Sequence, residues 1–393
     1  MMVDRLWTTS GYLWRNGEGA LIRGAHRSVD AVTSRHAVWV ESRGADGTPN
    51  LVYAGLPEGI HLTLPFLEQQ TGSASAAART SSRRRWDSLS TEAAGSDADL
   101  VITGHDTRHA RHLPQARSLT LPFRVSLVVA LGDGTDVLQR VSRKDRQQFA
   151  RQQRSSRWNL EVAGTDADFA YFYDRMHMPT MRARHGGSAR SEGRAIARAE
   201  IFRKGMLFFL RQSGERVVGA LCRVKPAGKT LVLRLVGVAD GDPAHYRGGT
   251  YTALFLHVLQ WAAQHGMARV DLGGCEPFIS KGTFQFKRKF HPEVVLPANH
   301  FRHKRLRVTV VRDTEPVRRF LVENPMIALD TRNRLTAVYF HDGRRPARAG
   351  LPWRTAGMAS AVHLDLDTFL HPDGAAPLPP RHDTPPATWL AQQ

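Results

Sequence analysis

Two carboxylates and a cysteine that could take part in chemistry lie close together in DLGGCE (271–276). Asp271 ends a strand-like run, where a carboxylate could act as a general base. It could equally form a turn, because aspartates at strand ends commonly do so. Glu276 is the alternative base, two residues beyond the glycines. Cys275 has no histidine near it in sequence, so we expect a buried small residue rather than a nucleophile.

A lysine in FQFKRKF (284–290) could stabilise developing negative charge. Lys287 lies among Phe284, Phe286 and Phe290, which predicts a partly buried stem. A cation in such a setting acts through a lower dielectric constant than one in water. The alternative is a basic amphipathic helix on the surface.

A glycine-containing loop before a predicted helix could bind an anion. Two flexible backbone amides and a cation precede the helix, where the amides and the helix dipole favour a phosphate. The loop residues are Arg247, Gly248, Gly249 and Thr250. A simple glycine turn entering a helix is the alternative. Tyr246 and Tyr251 flank the loop and could donate a proton. For His177 and His185, on an earlier helix, we expect structural or pocket-lining roles rather than metal binding.

The chain is strongly basic, with 55 Lys and Arg against 36 Asp and Glu in 393 residues and a formal net charge of +19. This excess favours a polyanionic partner or an anionic surface, with a diffusely basic surface as the alternative. Hydrophobic residues make up 41% of the chain, which predicts a globular protein. No run reaches the ~18 apolar residues of a membrane span, and no apolar signal region begins the sequence. With two cysteines and no metal-binding spacing, we expect a reduced, cytoplasmic protein without a metal.

Hydrophobic periodicity predicts a regular series of elements from Trp158 to about Arg312. The series is a strand, two helices, three antiparallel strands, a helix, a strand, a short helix and two final strands. A basic helix with little apolar face precedes it at 141–157, either as a solvated connector or as a cradle for an anion.

The flanking regions are less regular. Strand-like alternation occurs at 120–131, and the polar, basic stretch 71–85 predicts an exposed loop. Beyond residue 312 we expect helices at 315–323 and 326–335, followed by a Pro-rich tail.

The predicted order of elements and three motifs resemble the GNAT acyltransferase superfamily, and within it the Fem-like and CelD-type branch. The motifs are FYDRMHMPTMRARHG (172–186), YRGGTYTALFLHVLQWAAQHG (246–266) and VDLGGCEPFISKGTFQFKRKF (270–290). The resemblance implies an α/β (α+β) fold with a mixed, mostly antiparallel sheet flanked by helices, in two tandem units. The expected regions are an N-terminal, degenerate unit at 1–140, a connecting helix at 141–157, the acyltransferase domain at 158–312 and an extension at 313–393.

The resemblance also implies roles for individual residues. A backbone N–H at an opening beside Gly237 and Val238 would meet the acyl carbonyl, and Lys287 would stabilise its oxyanion. Asp271 would orient the acceptor amine. The loop from Arg247 to Thr250 would hold a CoA pyrophosphate, although its glycines follow directly rather than at the family's third and fifth positions.

Three functions follow from these observations. The first is N-acyl transfer from acyl-CoA to an amine in a small, sugar-linked or peptide-linked acceptor. The second, favoured by the basic charge and the FK motif, is a Fem-like transfer from aminoacyl-tRNA that forms an amide bond. The third is a non-catalytic basic module that binds nucleic acid or an anionic membrane surface.

Overall fold

The computed structural model describes residues 2–33, 35–44, 47–72, 79–132, 136–185, 191–225, 229–247 and 249–371. The backbone forms two compact units, each assembled from separate stretches of the chain. Unit A consists of Met1–Gly17, Ser126–Gly273 and Lys287–Glu293, and unit B consists of Glu18–Val125, Gly274–Phe286 and Val294–Gln393. The predicted Pro-rich tail, 372–393, lies outside the described residues.

The strands in chain order are β1 (His36–Ser42), β2 (Leu51–Gly55), β3 (Arg79–Arg85), β4 (Leu100–Asp106), β5 (Ser118–Pro122), β6 (Val125–Ala130), β7 (Asn159–Ala163), β8 (Gly205–Gln212), β9 (Glu215–Lys225), β10 (Thr230–Val238), β11 (Arg269–Cys275), β12 (Glu293–Val295), β13 (Lys304–Val310), β14 (Met326–Leu329), β15 (Leu335–His341) and β16 (Met358–Asp365). The α-helices are α1 (Met2–Asn16), α2 (Ala20–Thr33), α3 (Glu58–Leu62), α4 (Leu64–Thr71), α5 (Leu89–Gly95), α6 (Val137–Arg140), α7 (Arg143–Ser156), α8 (Asp166–Tyr171), α9 (Met178–His185), α10 (Arg194–Ile196), α11 (Ala244–Arg247), α12 (Thr250–Gln264), α13 (Gly282–Arg288), α14 (Glu315–Glu323) and α15 (Leu366–Leu370). Short 3₁₀ or π-helical segments occur at Thr107–His112, Phe172–His177, Ala197–Ile201, Phe202–Lys204, Ala239–Gly241 and His300–His303.

Unit A contains strands β7 to β10 and most of β6 and β11, which belong to a seven-stranded sheet in the order β12-β6-β11-β10-β9-β8-β7. Strands β7 to β10 pair antiparallel with their neighbours along the chain, as the short predicted turns require. Strand β11 instead pairs parallel with β10, because the chain crosses over through α12 between them.

One helical stretch packs on β10. It begins with α8, where Thr165 and Asp168 form a reciprocal capping box. It continues through the π-helical turns Phe172–His177 into α9, which contains Pro179. Its aromatic residues, Phe169 and Phe172 among them, form a buried core with strands β8 to β10.

Unit B contains a six-stranded sheet in the order β3-β1-β2-β4-β13-β5 and a three-stranded sheet in the order β14-β15-β16. In the larger sheet β2 and β4 are parallel and the other pairs antiparallel. Both units thus hold mixed, mostly antiparallel sheets flanked by helices. The predicted fold class is confirmed, and two sheet-bearing units fit the predicted tandem arrangement.

Several elements differ from their predictions. The alternation at 120–131 is split at the turn after Pro122, so β5 and β6 lie in different sheets. Within 71–85, β3 pairs with β1 although it is rich in arginine, because an edge strand can keep charged side chains in water. The helix predicted at 326–335 is wrong, since β14 and a turn occupy those residues. Strand β13, predicted to complete the acyltransferase domain, pairs instead with β4 and β5 of unit B.

Among the described residues, no helix combines the length and the apolar character needed to cross a membrane.

The contact between Gly237 and the helical stretch gives a test of this packing. A Cβ at Gly237 would lie 2.5 Å from backbone atoms of Met176 and His177, which cannot move as a side chain could. We expect Gly237→Ala to lower the free energy of unfolding by roughly 1–3 kcal/mol, the usual cost of overpacking. Urea unfolding measures this. Gly164→Ala is the control, since a Cβ there meets nothing within 4 Å, and equal stability of the two variants would contradict the packing.

Candidate functional site

The parallel strands β10 and β11 pair over three positions, from Thr230 with Arg269 to Val232 with Asp271. Strand β10 then continues to Val238 beside β9, with a β-bulge between Leu233 and Leu235. Bulges re-aim a strand and are common next to active sites. The two strands therefore open beyond Val232, five residues before Gly237, where the sequence predicts the opening. We call this gap the strand opening.

Asp271, Gly273 and Lys287 lie together at the start of the strand opening. Gly273 has a φ of +81°, and its N–H donates to Asp271 Oδ1 at 2.8 Å. Asp271 thus bonds the backbone two residues further on, a local contact within β11 rather than a turn. Its other carboxylate oxygen lies 3.9 Å from Lys225 Nζ.

Lys287 is 9% exposed, which agrees with the predicted burial of its stem. Its Nζ donates to the carbonyl of Gly273 at 3.1 Å. A Cβ on Gly273 would lie 3.5 Å from this Nζ and 3.6 Å from the carbonyl oxygen of Leu233. The lysine charge is therefore fixed where β10 and β11 separate.

The backbone of β10 beyond the bulge offers one N–H toward the strand opening. The Val238 N–H donates to Thr180 Oγ1 at 2.9 Å, so it is already used. Gly237 is the next residue back and faces β9, because hydrogen-bonded and non-hydrogen-bonded pairs alternate in an antiparallel ladder. Val236 therefore points away from β9, and its carbonyl is 3.0 Å from His177 Nδ1. The N–H of Val236 shares that direction, next to the Gly237 and Val238 groups that the sequence predicts for the acyl carbonyl.

A histidine–serine pair lies next to Val236. Because the carbonyl of Val236 can only accept, Nδ1 of His177 carries the proton and donates it. Nε2 then accepts from the Ser191 hydroxyl at 2.6 Å. Burial lowers the pKa of His177, and its bond to Val236 offsets this only in part, so the ring is neutral at pH ~7. Sequence analysis placed His177 as structural or pocket-lining but gave no signal for Ser191.

The predicted phosphate loop is described in part. Gly248 lies outside the described residues, and Tyr246 and Arg247 are described by backbone alone, in α11. Gly249 has a φ of +74° and caps α12, and Thr250 is 3% exposed. A Cβ on Gly249 would lie 2.6 Å from Gln152 Oε1, so the basic helix α7 runs beside this helix N-terminus.

Helix α7 buries a single side chain, Phe149, and leaves Arg151 and Arg154 exposed. Phe149 packs against Trp158 and His257, which fixes one face of α7 on unit A. The structure therefore places the basic helix next to α12.

Glu276 belongs to unit B and is 8% exposed. Burial on its own raises the pKa of Glu276, but the charges of Lys281 and Arg124 outweigh burial and the pKa is lowered. Lys281 Nζ lies 3.2 Å from its carboxylate. Glu276 is thus an ion-paired anion and a weak base. Cys275 is 2% exposed, as expected for a buried small residue.

Sequence analysis missed a polar cluster on the bulge of β10. Arg234 Nη2 donates to Asn16 at 2.8 Å and to Glu192 at 3.0 Å, and its guanidinium lies over Tyr12. An arginine inside the apolar run TLVLRLVGV was an available signal. No such signal exists in the sequence for the contact with helix α1, because the partners of this helix lie far away along the chain.

Tyr251 stacks on Phe255. Among the described residues, no group of three or more His, Cys, Asp or Glu could hold a metal ion.

Residues 139–288 match a family model described as an acetyltransferase (GNAT) domain, which confirms the resemblance seen in the sequence. The match begins before α7, which sequence analysis set apart as a connector. No match was found among curated proteins.

Similar solved structures include FemX, with 12% identity over 79% of this chain and 96% of that chain and a TM-score of 0.38. L-PGS from Bacillus licheniformis has 13% identity over 78% and 92% of the two chains and a TM-score of 0.35. A GCN5-related N-acetyltransferase from Sphaerobacter thermophilus has 13% identity over 74% and 86% and a TM-score of 0.32.

The ion pair of Glu276 predicts a pH-dependent stability. A carboxyl group whose pKa is lowered by folding stabilises the fold above its unfolded pKa, about 4.3, and loses that contribution as the pH falls. In Lys281→Met the burial of Glu276 dominates and its pKa rises, so the contribution at neutral pH is lost. We expect the variant to lose roughly 1–3 kcal/mol at pH ~7 and less at pH ~4, measured by urea unfolding. Lys289→Met, at an exposed position, is the control, and equal losses at both pH values would refute the prediction.

Proposed function

We propose that this chain, whose residues 139–288 form an acetyltransferase (GNAT) domain, transfers an acyl group from an acyl-CoA donor to an amine by direct attack. The observation that carries the proposal is the strand opening with the buried Lys287 Nζ at its start. It supplies a backbone edge, a fixed positive charge and a gap in the sheet within one unit.

The reaction needs charge stabilisation and two proton transfers. The amine nitrogen attacks the acyl carbon, so a C–N bond forms and the C–S bond breaks. The amine gives up a proton, and the leaving thiolate takes one up. Between these steps negative charge develops on the carbonyl oxygen, and donors already fixed at that position stabilise it most effectively.

We assign the carbonyl oxygen to the Val236 N–H, with Lys287 providing the nearby cation. Asp271 orients the acceptor amine and takes up its proton. Glu276 is less suited to this role, because it is held in an ion pair with Lys281. The neutral His177 and its partner Ser191 form a second route for the amine proton. Tyr246 is assigned to protonate the leaving thiolate.

The donor's phosphates are assigned to the N-terminus of α12, at Arg247, Gly248, Gly249 and Thr250. This helix is 15 residues long, so its dipole and N-terminal amides favour an anion. The adjacent basic helix α7 adds to the positive potential. Acyl-CoA is a cytoplasmic metabolite, and we place the protein in the cytoplasm accordingly.

A second candidate is transfer from aminoacyl-tRNA, with the amino acid ester in place of the thioester. The exposed arginines of α7 and the net charge of +19 favour a long polyanion over one CoA. The glycine spacing of the loop, which departs from the family's CoA pattern, favours it too. The acceptor is a small-molecule, sugar-linked or peptide-linked amine in either case. A basic module without activity, bound to nucleic acid or to an anionic membrane surface, is the remaining option.

Donor identity is tested with the purified full chain, an amine library and either acyl-CoA thioesters or charged tRNAs, with mass detection of the product. An acyl-CoA enzyme is stabilised against heat by its donor in proportion to ln(1 + [L]/Kd). A tRNA user binds RNA with an affinity that falls steeply with salt, because each neutralised phosphate releases a counterion. Binding of RNA with no product from either donor supports the non-catalytic module.

The role of Lys287 gives a quantitative prediction. Lys287→Ala is expected to lower kcat by about 100-fold or more, the scale for losing one oxyanion donor. Lys289→Ala is the matched control, because Lys289 is two residues away and exposed. The kcat is measured with the donor identified above, after circular dichroism shows that both variants are folded. Activity of Lys287→Ala close to that of the control would exclude the oxyanion role.

A further inference from the structure

Strand β13 in unit B has two contrasting faces. Leu306, Val308 and Val310 point into the apolar core of the unit. The alternate residues Arg305, Arg307 and Thr309 are only 7%, 7% and 6% exposed. Arginines two residues apart on a strand share a face of the sheet, so two guanidinium groups are buried side by side.

The neighbouring strands continue this polar face. On β4, His105 pairs with Arg305 and Thr103 pairs with Arg307. On β5, Ser118 pairs with Thr309. His105 is 1% exposed, so the cluster is enclosed rather than laid on the surface. We call Arg305, Arg307, Thr309 and His105 the β13 cluster.

The charge of the β13 cluster is not balanced by nearby carboxylates. Arg307 donates to Pro114, Gln115 and Ser118, all neutral acceptors. Arg305 donates to two backbone carbonyls. Burial lowers the pKa of both arginines. Buried charges are normally paired, because removing an ion from water costs several kcal/mol.

Among the residues that the structure describes, Asp106 is the acidic side chain that acts on Arg305, and it is already engaged. Asp106 raises the pKa of Arg305, although burial outweighs this effect. Its Oδ1 accepts from the backbone N–H and the Nε of Arg108, at 3.0 and 2.9 Å. The Asp106 carboxylate is therefore hydrogen-bonded to Arg108 rather than to Arg305, and the β13 cluster keeps an excess of positive charge.

Three polar atoms of the β13 cluster have no hydrogen-bond partner among the described residues: Arg307 Nε, Thr309 Oγ1 and His105 Nε2. Each lies on a side chain that is more than nine-tenths buried. Nearly all buried polar groups in folded proteins are hydrogen-bonded, so these three atoms on one face are each available to bond a further group.

We infer that the β13 cluster is a binding site for an oxyanion, a phosphate-type or carboxylate group. The guanidinium of Arg307 donates to its oxygens, with the hydroxyl of Thr309 as a further donor. His105 distinguishes the two ligand classes: its Nδ1 donates to the Asp106 carbonyl, which leaves Nε2 as an acceptor. The hydroxyl of a protonated phosphate-type group can donate to it, whereas a carboxylate cannot. The site lies wholly in unit B and does not depend on the proposed acyl transfer.

The test measures anion binding to the full chain by thermal unfolding and isothermal titration, in chloride at constant ionic strength. Inorganic phosphate is one arm and acetate the other. We expect a saturable rise of Tm with at least one anion, and the stronger response names the phosphate-type or the carboxylate ligand. Arg307→Gln is expected to weaken binding by about tenfold or more, because a charge-assisted hydrogen bond is lost. Arg319→Gln, which removes an exposed arginine of unit B, is expected to bind like the parent chain.

A second variant covers the case in which Arg307→Gln does not fold. Thr309→Val keeps the size of the side chain, removes the unpartnered hydroxyl and is expected to weaken binding of the same anion. The absence of a saturable response to both anions overturns the inference, since water alone would then satisfy the cluster. Equal affinity in the parent chain, Arg307→Gln and Thr309→Val also overturns it.

Discussion

An unpaired strand edge inside a protein must find partners for its backbone groups, and this constraint organises unit A. Beyond Val232, β10 no longer pairs with β11, so alternate backbone groups lack a ladder. The helical stretch at 166–185 supplies substitutes: His177 bonds the Val236 carbonyl and Thr180 bonds the Val238 N–H. Gly237 permits this because no Cβ separates the strand from the helix backbone. The N–H of Val236 points into the remaining gap, where an acyl carbonyl could be held.

Buried charged side chains in both units need polar or charged partners, and the kind of partner differs from one residue to the next. Lys287 is bonded to a backbone carbonyl at the strand opening, and Glu276 is matched by Lys281. Lys304 is 1% exposed and is held by two carboxylates of unit B, those of Asp30 and Glu58. Arg307, three residues further on, has neutral acceptors alone. The contrast within one strand sets its guanidinium apart from an ordinary internal ion pair.

Much of unit A could be predicted from the sequence, because its elements have strong periodicity. The meander from β8 to β10, helix α12 and the buried Lys287 all agree with apolar spacing and flanking aromatics. The bulge at Arg234 could not be predicted, since one extra residue leaves the alternation almost unchanged. That bulge decides which N–H groups face away from β9, so our proposal assigns the acyl carbonyl to Val236, where sequence analysis proposed Gly237 and Val238.

The sequence predicts the order of helices and strands along the chain better than it predicts which of them pack together. Strand β13 has the β-branched pattern of any buried strand, and nothing local to it specifies β4 and β5 as neighbours. Helix α1 likewise packs on unit A through Tyr12, although Ser126, where the unit resumes, comes more than a hundred residues later. Such choices depend on contacts between distant parts of the chain, which spacing in a single sequence does not contain.

The interleaving of the two units has a consequence for synthesis on the ribosome. Unit A uses residues up to Glu293, and unit B begins at Glu18 but needs strands beyond residue 300. Neither unit is complete when its first half emerges, so early segments must wait, exposed, for later ones. A fragment cut to residues 139–288 would lack α1, β6 and β12 and leave sheet edges open. Although the structure divides into two units, the whole chain must therefore be synthesised before either unit can fold completely.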